Sequence, residues 1–449
     1  MAQPAAVPVG AAVTAVRQAS LREHNLALVL RQIATADRPP SRADLATATG
    51  LTRATVSALV DDLITGRLLT EVAPAPRSGA GRPAVGLTLA DHGPAGLGLE
   101  INVDYLAAVL VDLTGTVRHR AVRRVDLRPV PPAEALSLVG ELISEAGAEA
   151  DRQDLTLAGT ALAVPGLVTA TGLVRLAPNL GWRDVDVPAL LGAHPILGGR
   201  GLGVDNEANL AALGELHAAP PGSANFVYIS GEVGIGAGIV LHGTLFRGAR
   251  GWSGEIGHVP VHPEGRPCRC GGRGCLEQYA GQEAILAAAG LTDPPSARAP
   301  STGRPARRHG PNGPLRVDGD RADDGSAARG IPVPGAAIAR LAEAAARDDP
   351  AACRALVDAA TALGVAVAGV INLLDVDTVV LGGVYAPLAR WLAPTVRAEI
   401  GRRVLTAAWS PVTVRAALLG GDAAALGAAG SVVRTVLEQP ARWLGRTAR

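Results

Sequence analysis

Lysine is absent from the 449 residues, so all 42 basic side chains are arginine. With 55 glycines, 33 prolines and abundant alanine, this points to GC-rich coding and says little about activity. Neither charge is in surplus. The 42 basic and 41 acidic side chains leave a formal charge of +1, which excludes a generally basic nucleic-acid coat and an acidic tail protein. Uninterrupted apolar runs of membrane-spanning length are also lacking, and no membrane partner is expected. The most apolar region, Thr361 to Val384, is broken by Asn372, Asp375 and Asp377. No charged region precedes the first apolar residues, so no signal peptide is expected. Cysteine is scarce, four in all. Free thiols without an export route indicate a reducing cytoplasm. The length exceeds one compact core and implies two or three domains.

Three of the four cysteines lie in one stretch, Gly254 to Glu277. Cys268, Cys270 and Cys275 fall within eight residues, and His258 stands ten residues before the first of them. Soft thiolates and an imidazole at this density suit a tetrahedral zinc ion, and a Cys3His set leaves no open position for a catalytic water. Gly271, Gly272 and Gly274 let one short loop supply three ligands. The alternative is a group of buried or disulfide-linked thiols, which an odd cluster of three in a chain without an export signal disfavours. The stretch reads as a structural zinc knuckle.

The N-terminal 90 residues carry nine Arg against six Asp and Glu, a lean toward DNA. Residues 1–18 read as a flexible Ala/Pro tail, and residues 19–90 as a winged helix-turn-helix. A helix is expected from Ser20 to about Thr35, with Leu26, Val29, Leu30 and Ile33 on one face. Ser41 and Asp44 form a capping-box-like start for a short helix ending at Gly50. Thr52 caps a longer one, with Val56, Leu59, Val60, Leu63 and Ile64 at helical spacing and Gly66 at its end. Arg53, Thr55 and Ser57 then face outward where a recognition helix meets bases and phosphates, with Thr52 and Arg42 beside them. Two short strands, around Leu68–Val72 and Val85–Leu89, make a wing whose tip carries Arg82 toward a minor groove. The competing interpretation is a plain three-helix bundle with a polar face.

From Gly96 the pattern changes to alternating strands, then a helix over about Pro132–Ala150 and a strand from Leu155 to Val164. The glycine run Ile229–Gly238 lies between strand-like segments with no long helix after it. That argues for a glycine hairpin and against a dinucleotide fold. Residues 291–335, dominated by Pro, Gly, Ser, Arg and Asp, read as a disordered insertion. Cys353 lies in the helical region that follows and reads as a small buried residue.

Glu255-Ile256-Gly257-His258 followed by Cys268 to Glu277 resembles the signature of the ROK proteins (repressors, open reading frames and sugar kinases), residue for residue. The resemblance extends over about Gly96 to Val436. It implies an α/β fold overall: a winged helix-turn-helix, itself mostly α, followed over residues 95–449 by a two-lobed actin-like, ribonuclease-H-like effector domain of the ATPase type. Ile371 to Leu381, ending in Gly382-Gly383, resembles the strand and glycine turn of the family's C-terminal lobe. The resemblance also implies sugar contacts from Glu255, His258 and Glu277, from Asn179 in Pro178-Asn179-Leu180, and from Asn206 and Glu207 in Asp205-Asn206-Glu207-Ala208-Asn209. His258 would give one ring nitrogen to zinc and the other to sugar. A lone asparagine serves a structural role equally well, so Asn179 and Asn206 gain weight only from their motifs.

Kinases of this family carry a D-x-G-G-T phosphate loop. Here Glu100-Ile101-Asn102-Val103-Asp104 stands in its place. Asn102 and Val103 would crowd a phosphate at the backbone, and Asp104 would repel it. In the second loop Glu232 replaces a threonine, and Glu207 stands at the position of the kinase's catalytic Asp. The reading is therefore a sugar-responsive, DNA-binding repressor without catalytic residues, its partners being operator DNA, a sugar and a second copy of itself. The alternative is an active sugar kinase.

Overall fold

A computed structural model describes residues 18–73, 85–128, 130–197, 200–220, 222–231, 234–291 and 336–447. The expected tail, the wing tip with Arg82, Glu232 and nearly all of the 291–335 insertion lie outside the described residues. The chain divides into two compact units, one made of Met1–Pro94 with Arg434–Arg449 and the other of Ala95–Val433.

The first unit opens with helices α1 (Gln18–Ala34), α2 (Arg42–Thr49) and α3 (Arg53–Thr65), then strands β1 (Leu69–Val72) and β2 (Gly86–Leu89). Its local signals act as the sequence suggests. Ser41 and Asp44 form a complete capping box, and Gly50 closes α2 in the left-handed conformation at φ 73°. Thr52 accepts from the Thr55 amide to start α3. Val29, Leu30, Leu45, Val56, Leu59, Val60 and Leu63 are buried together as its core. β1 and β2 pair antiparallel, Leu69 opposite Leu89 and Val72 opposite Gly86, forming the stem of a wing.

The second unit holds two five-stranded sheets built to one plan. In the first, β3 (Gly93–Ile101), β4 (Tyr105–Asp112) and β5 (Val117–Arg124) form an antiparallel meander. Helix α4 (Pro132–Arg152) leads to β6 (Leu155–Val164), and β10 (Leu202–Asn206) pairs parallel to β6, giving the order β10-β6-β3-β4-β5. Between them lie a small sheet of β7 (Leu167–Val168), β8 (Leu173–Ala177) and β9 (Trp182–Asp186), and helix α5 (Val187–Leu191). Helix α6 (Glu207–Ala218) follows β10 directly.

The second sheet repeats the plan. β11 (Phe226–Gly231), β12 (Ile235–Leu241) and β13 (Thr244–Phe246) form the meander, the expected glycine hairpin joining β11 to β12. After helices α7 (Glu277–Ala280), α8 (Gln282–Ala288), α9 (Ala336–Ala346) and α10 (Pro350–Leu374) comes β14 (Thr378–Gly383), parallel to β11. Helix α11 (Ala389–Arg403) returns the chain to β15 (Thr413–Ala416), parallel to β14. Each sheet has its own core, around Leu97, Leu106 and Leu142 in one and Ile229, Leu363 and Leu381 in the other. A meander followed by helical crossovers, used twice, is the two-lobed arrangement the sequence led us to expect.

Two details differ from expectation. The stretch Ile371–Leu381 is not one strand. Ile371 continues the buried stripe of α10, Asp375 closes that helix at φ 54°, and β14 begins only at Thr378. The last residues also differ, because Arg434–Arg449 group with the N-terminal unit rather than with the remainder of the expected 95–449 domain. Helix α12 (Ala423–Glu438) leads into α13 (Pro440–Thr447), and α13 packs on α1 and α3. Among the described residues only α10 is long and apolar enough to cross a membrane, and 56% of its apolar window is buried inside the fold.

Candidate functional site

The candidate metal centre is built by a short loop folded back on itself. Val261 donates to the Gly274 carbonyl and Cys268 to that of Gly272, while Leu276 reaches back to Val259. Gly274, at φ 70°, lies so close to the His262 backbone that a side chain there would collide with it. The ligand atoms of His258, Cys268, Cys270 and Cys275 all lie within 4.8 Å of one another. Cys270 and Cys275 sulfurs are 3.7 Å apart, and Cys268 sulfur is 3.9 Å from His258 Nδ1. A tetrahedron with bonds of about 2.3 Å has edges of about 3.8 Å, so the four atoms fit an ion of zinc's size. The Gly272 amide donates to Cys270 and lowers its pKa, whereas burial and the neighbouring sulfurs push Cys275 up to about 12. A cation held among the sulfurs would offset the charge of the thiolates that ligate it.

Nδ1 of His258 faces the thiols, leaving Nε2 directed elsewhere. His258 closes a short 3-10 turn, Ile256–His258, that begins at Glu255. Burial raises the carboxyl of Glu255, His258 opposes that shift, and the charge of Glu277 adds to it. Glu277 is the first residue of α7, directly after the cysteine loop. A Cβ built on Gly234 would lie 2.9 Å from Glu277 Oε2 and 3.4 Å from Asn179 Nδ2. The fold thus gathers Asn179 from the turn after β8, Gly234 from the hairpin, and Glu277, Glu255 and His258 from the metal-bearing stretch.

Asn206 and Glu207 stand at the β10–α6 junction, and Asn206 is structurally committed. Its Oδ1 accepts from the amides of Ala208 and Asn209, and its Nδ2 donates to the Gly166 carbonyl at 2.9 Å. That leaves one amide hydrogen for a ligand. Glu207 accepts from the Ser230 hydroxyl, and burial raises its pKa. Ser230 at the end of β11 is a partner that the sequence did not reveal.

The β3–β4 turn is closed upon itself. Tyr105 donates to Glu100 at 2.7 Å and accepts from Asn102 Nδ2 at 3.2 Å. The Asn102 amide is taken by the Tyr105 carbonyl, and the Val103 amide by Asn102 Oδ1. Glu100 is buried, its Oε2 has no partner, and burial lifts its pKa to about 8. Asp104 is the exposed residue of the turn.

In the first unit Arg53 is exposed at the first position of α3, and Thr52, Thr55 and Ser57 keep partial or full exposure beside it. Thr52 and Thr55 hydroxyls bond each other at 2.9 Å. Arg42 departs from its expected place at the DNA face. Its guanidinium is held by Asp61 at 2.7 Å and Glu71 at 2.6 Å, tying α2 to α3 and β1. The acidic partners lie 19 and 29 residues away in sequence, beyond the reach of local pattern.

Comparison with known proteins extends this geometry. The sequence model described as ROK family matches residues 96–434, and that of the IclR helix-turn-helix domain matches residues 25–73. A xylose repressor of Caldicellulosiruptor bescii is 27% identical over 426 residues, covering 94% of this chain and 98% of the relative. A xylose repressor of Bacillus subtilis is 31% identical, covering 60% and 68%. A glucokinase of Halalkalibacterium halodurans is also 31% identical, covering 60% and 74%. Among solved structures, a ROK family transcriptional regulator described as a homologue of the E. coli MLC protein superposes with a TM-score of 0.70 at 24% identity, over 95% of this chain and 99% of that one. A glucokinase from Streptomyces griseus, in complex with glucose and AMPPNP, superposes with a TM-score of 0.56 at 25% identity over 75% and 98%.

Proposed function

The chain belongs to the ROK family, and on that premise we propose that it is a sugar-responsive transcriptional repressor that has kept the sugar side of a kinase-like site and lost the nucleotide side. The closed β3–β4 turn carries this reading. Two of the backbone amides needed to cradle a phosphate are already bonded within the turn, and the exposed Asp104 adds an acidic group beside it. The sugar-facing set retains its polar groups: Asn179, Glu255, His258 and Glu277, with Glu207 beside Ser230. Carboxylates and amides of this kind recognise the paired donors and acceptors of sugar hydroxyls. Xylose is the first sugar to test, because two of the relatives named above are xylose repressors.

Zinc fits the donor set, held by His258, Cys268, Cys270 and Cys275, and when bound it neutralises the sulfurs and fixes the loop. Residues of the chain then do the recognition. His258 presents Nε2, Glu255 and Glu277 accept from hydroxyls, and Asn206 holds Glu207 at the start of α6. In the first unit, Arg53, Thr52, Thr55 and Ser57 meet DNA, and two copies occupy the halves of a palindromic operator. Sugar changes operator affinity to the extent that it binds one conformation more tightly than the other.

The glucokinase relatives support a second reading as an active kinase, in which Glu207 takes the sugar hydroxyl's proton. A coupled ATPase assay across a sugar panel separates the two. No turnover is expected; turnover abolished by Glu207→Ala establishes the kinase.

A further inference from the structure

The recognition helix ends in a place the N-terminal sequence alone does not complete. The last carbonyls of a helix have no partners within it. At the end of α3 the carbonyl of Gly66 accepts from Trp443 Nε1 at 2.8 Å, a residue 377 positions away. The indole is 5% exposed, and the Arg446 guanidinium lies 5.5 Å above it. Leu444 presses so closely on Gly66 that any side chain at position 66 would collide with it. Helix α13 also packs on α1. The DNA-reading unit therefore takes its fourth helix from the C-terminus.

Only Gln439 separates α13 from α12. The earlier residues of α12 belong to the second unit and meet its functional elements backbone to backbone. Gly427 abuts the Leu210 carbonyl of α6, and Gly214 of α6 faces the Ala423 carbonyl. Gly98 and Gly96 of β3 meet the carbonyls of Ala425 and Ala429. At these points backbone meets backbone, with the Leu419 and Val432 side chains packed alongside, so little room is left for rotamer changes to absorb a displacement. α6 begins at Glu207 under the Asn206 cap, and β3 carries Glu100.

We propose that residues 434–447 are the regulatory connection of the protein, anchoring the far end of the recognition helix through Trp443 and carrying to it the state of the sugar site. The inference rests on the sugar-responsive reading for its second half and on the Trp443–Gly66 contact alone for its first. Trp443 is a positioning residue: it holds the helix that touches DNA.

Two variants of the full-length protein test the two halves. Trp443→Phe keeps the ring and drops the N–H. Operator affinity without sugar is expected to fall about three- to tenfold, with sugar affinity by calorimetry unchanged within about twofold. Unchanged operator affinity would contradict the anchor. Inserting four glycines after Gln439 lets the tail dock but frees it from α12. Without sugar this variant is expected to bind operator within about twofold of wild type. The sugar-induced loss of affinity, about tenfold or more in wild type on the usual coupling scale, is expected to shrink below about twofold. A wild-type-sized sugar response, or loss of operator binding in the absence of sugar, would overturn the connection. A wild-type protein indifferent to every sugar removes the second half together with the sugar-responsive reading. The Trp443→Phe measurement still decides the first.

Discussion

Tyr105 donates its hydroxyl to Glu100 across the β3–β4 turn, which stands in place of the kinases' phosphate loop in the proposed reading. In the proposed reading the pair stands in place of an anion cradle, and Asn102 adds its own hydrogen bonds to Tyr105 and to the Val103 amide. A loop satisfied from within has little to offer a nucleotide.

Glu100 also gives the protein a pH signature. Its folded-state pKa is raised to about 8 from the ordinary 4.5, chiefly by burial. The folded protein therefore keeps a proton that the unfolded chain has lost, and stability falls as pH rises from about 4.5 to about 8. Glu100→Gln removes that fall, because a neutral amide still accepts from Tyr105. Thermal melts should show the variant more stable than wild type at pH 8 to 9, with the difference closing toward pH 4.5. A constant difference across that range would contradict the assignment.

Arg53 and Arg42 should separate cleanly. Arg53→Ala should weaken operator binding about tenfold and lower the salt slope by about one. Arg42→Ala should leave the salt slope unchanged and cost at most about 1 kcal/mol of stability, since Asp61 and Glu71 are solvent-exposed partners. Anisotropy titrations at several salt concentrations, alongside melts, measure both.

Elemental analysis should find one zinc per chain. Stripping it with a chelator, or Cys270→Ser, should loosen the loop that positions Glu255 and Glu277 and weaken sugar binding about tenfold or more. Operator affinity in the absence of sugar should be spared. Wild-type sugar affinity in the stripped protein would show that the loop stands without its metal.

Gly234 offers a finer probe of the sugar side. Gly234→Ala places a methyl against Glu277 and Asn179 and should weaken sugar binding, by about tenfold for a displacement of this kind. The fold should be unaffected, because Gly234 is only partly buried. Calorimetry on the purified variant measures it.

Local chemistry made much of this legible in advance. The capping box at Ser41, the Thr52 cap and the strand Leu155–Val164 follow from neighbours a few residues apart, and the clustering of His258 with three cysteines from one short stretch of sequence. What stayed hidden depends on distant partners. Arg42 looked like a DNA contact until Asp61 and Glu71 were brought to it by folding. The hydrogen bond from Ser230 to Glu207 joins different elements of the sheet and helix. Trp443 meets Gly66 only because the chain's two ends share one unit. The strand boundary near Ile371 was misplaced for a related reason, since an apolar run suits a buried helix as well as a strand.

The central claim is that the site senses sugar and ignores nucleotide. Fluorescence anisotropy of labelled operator DNA, titrated first with sugars beginning with xylose and then with ATP and magnesium, tests it most directly. The account predicts release of the DNA by a sugar, about tenfold or more in affinity, and no change with ATP either alone or added to the sugar. A response to ATP, or indifference to every sugar tried, would contradict it.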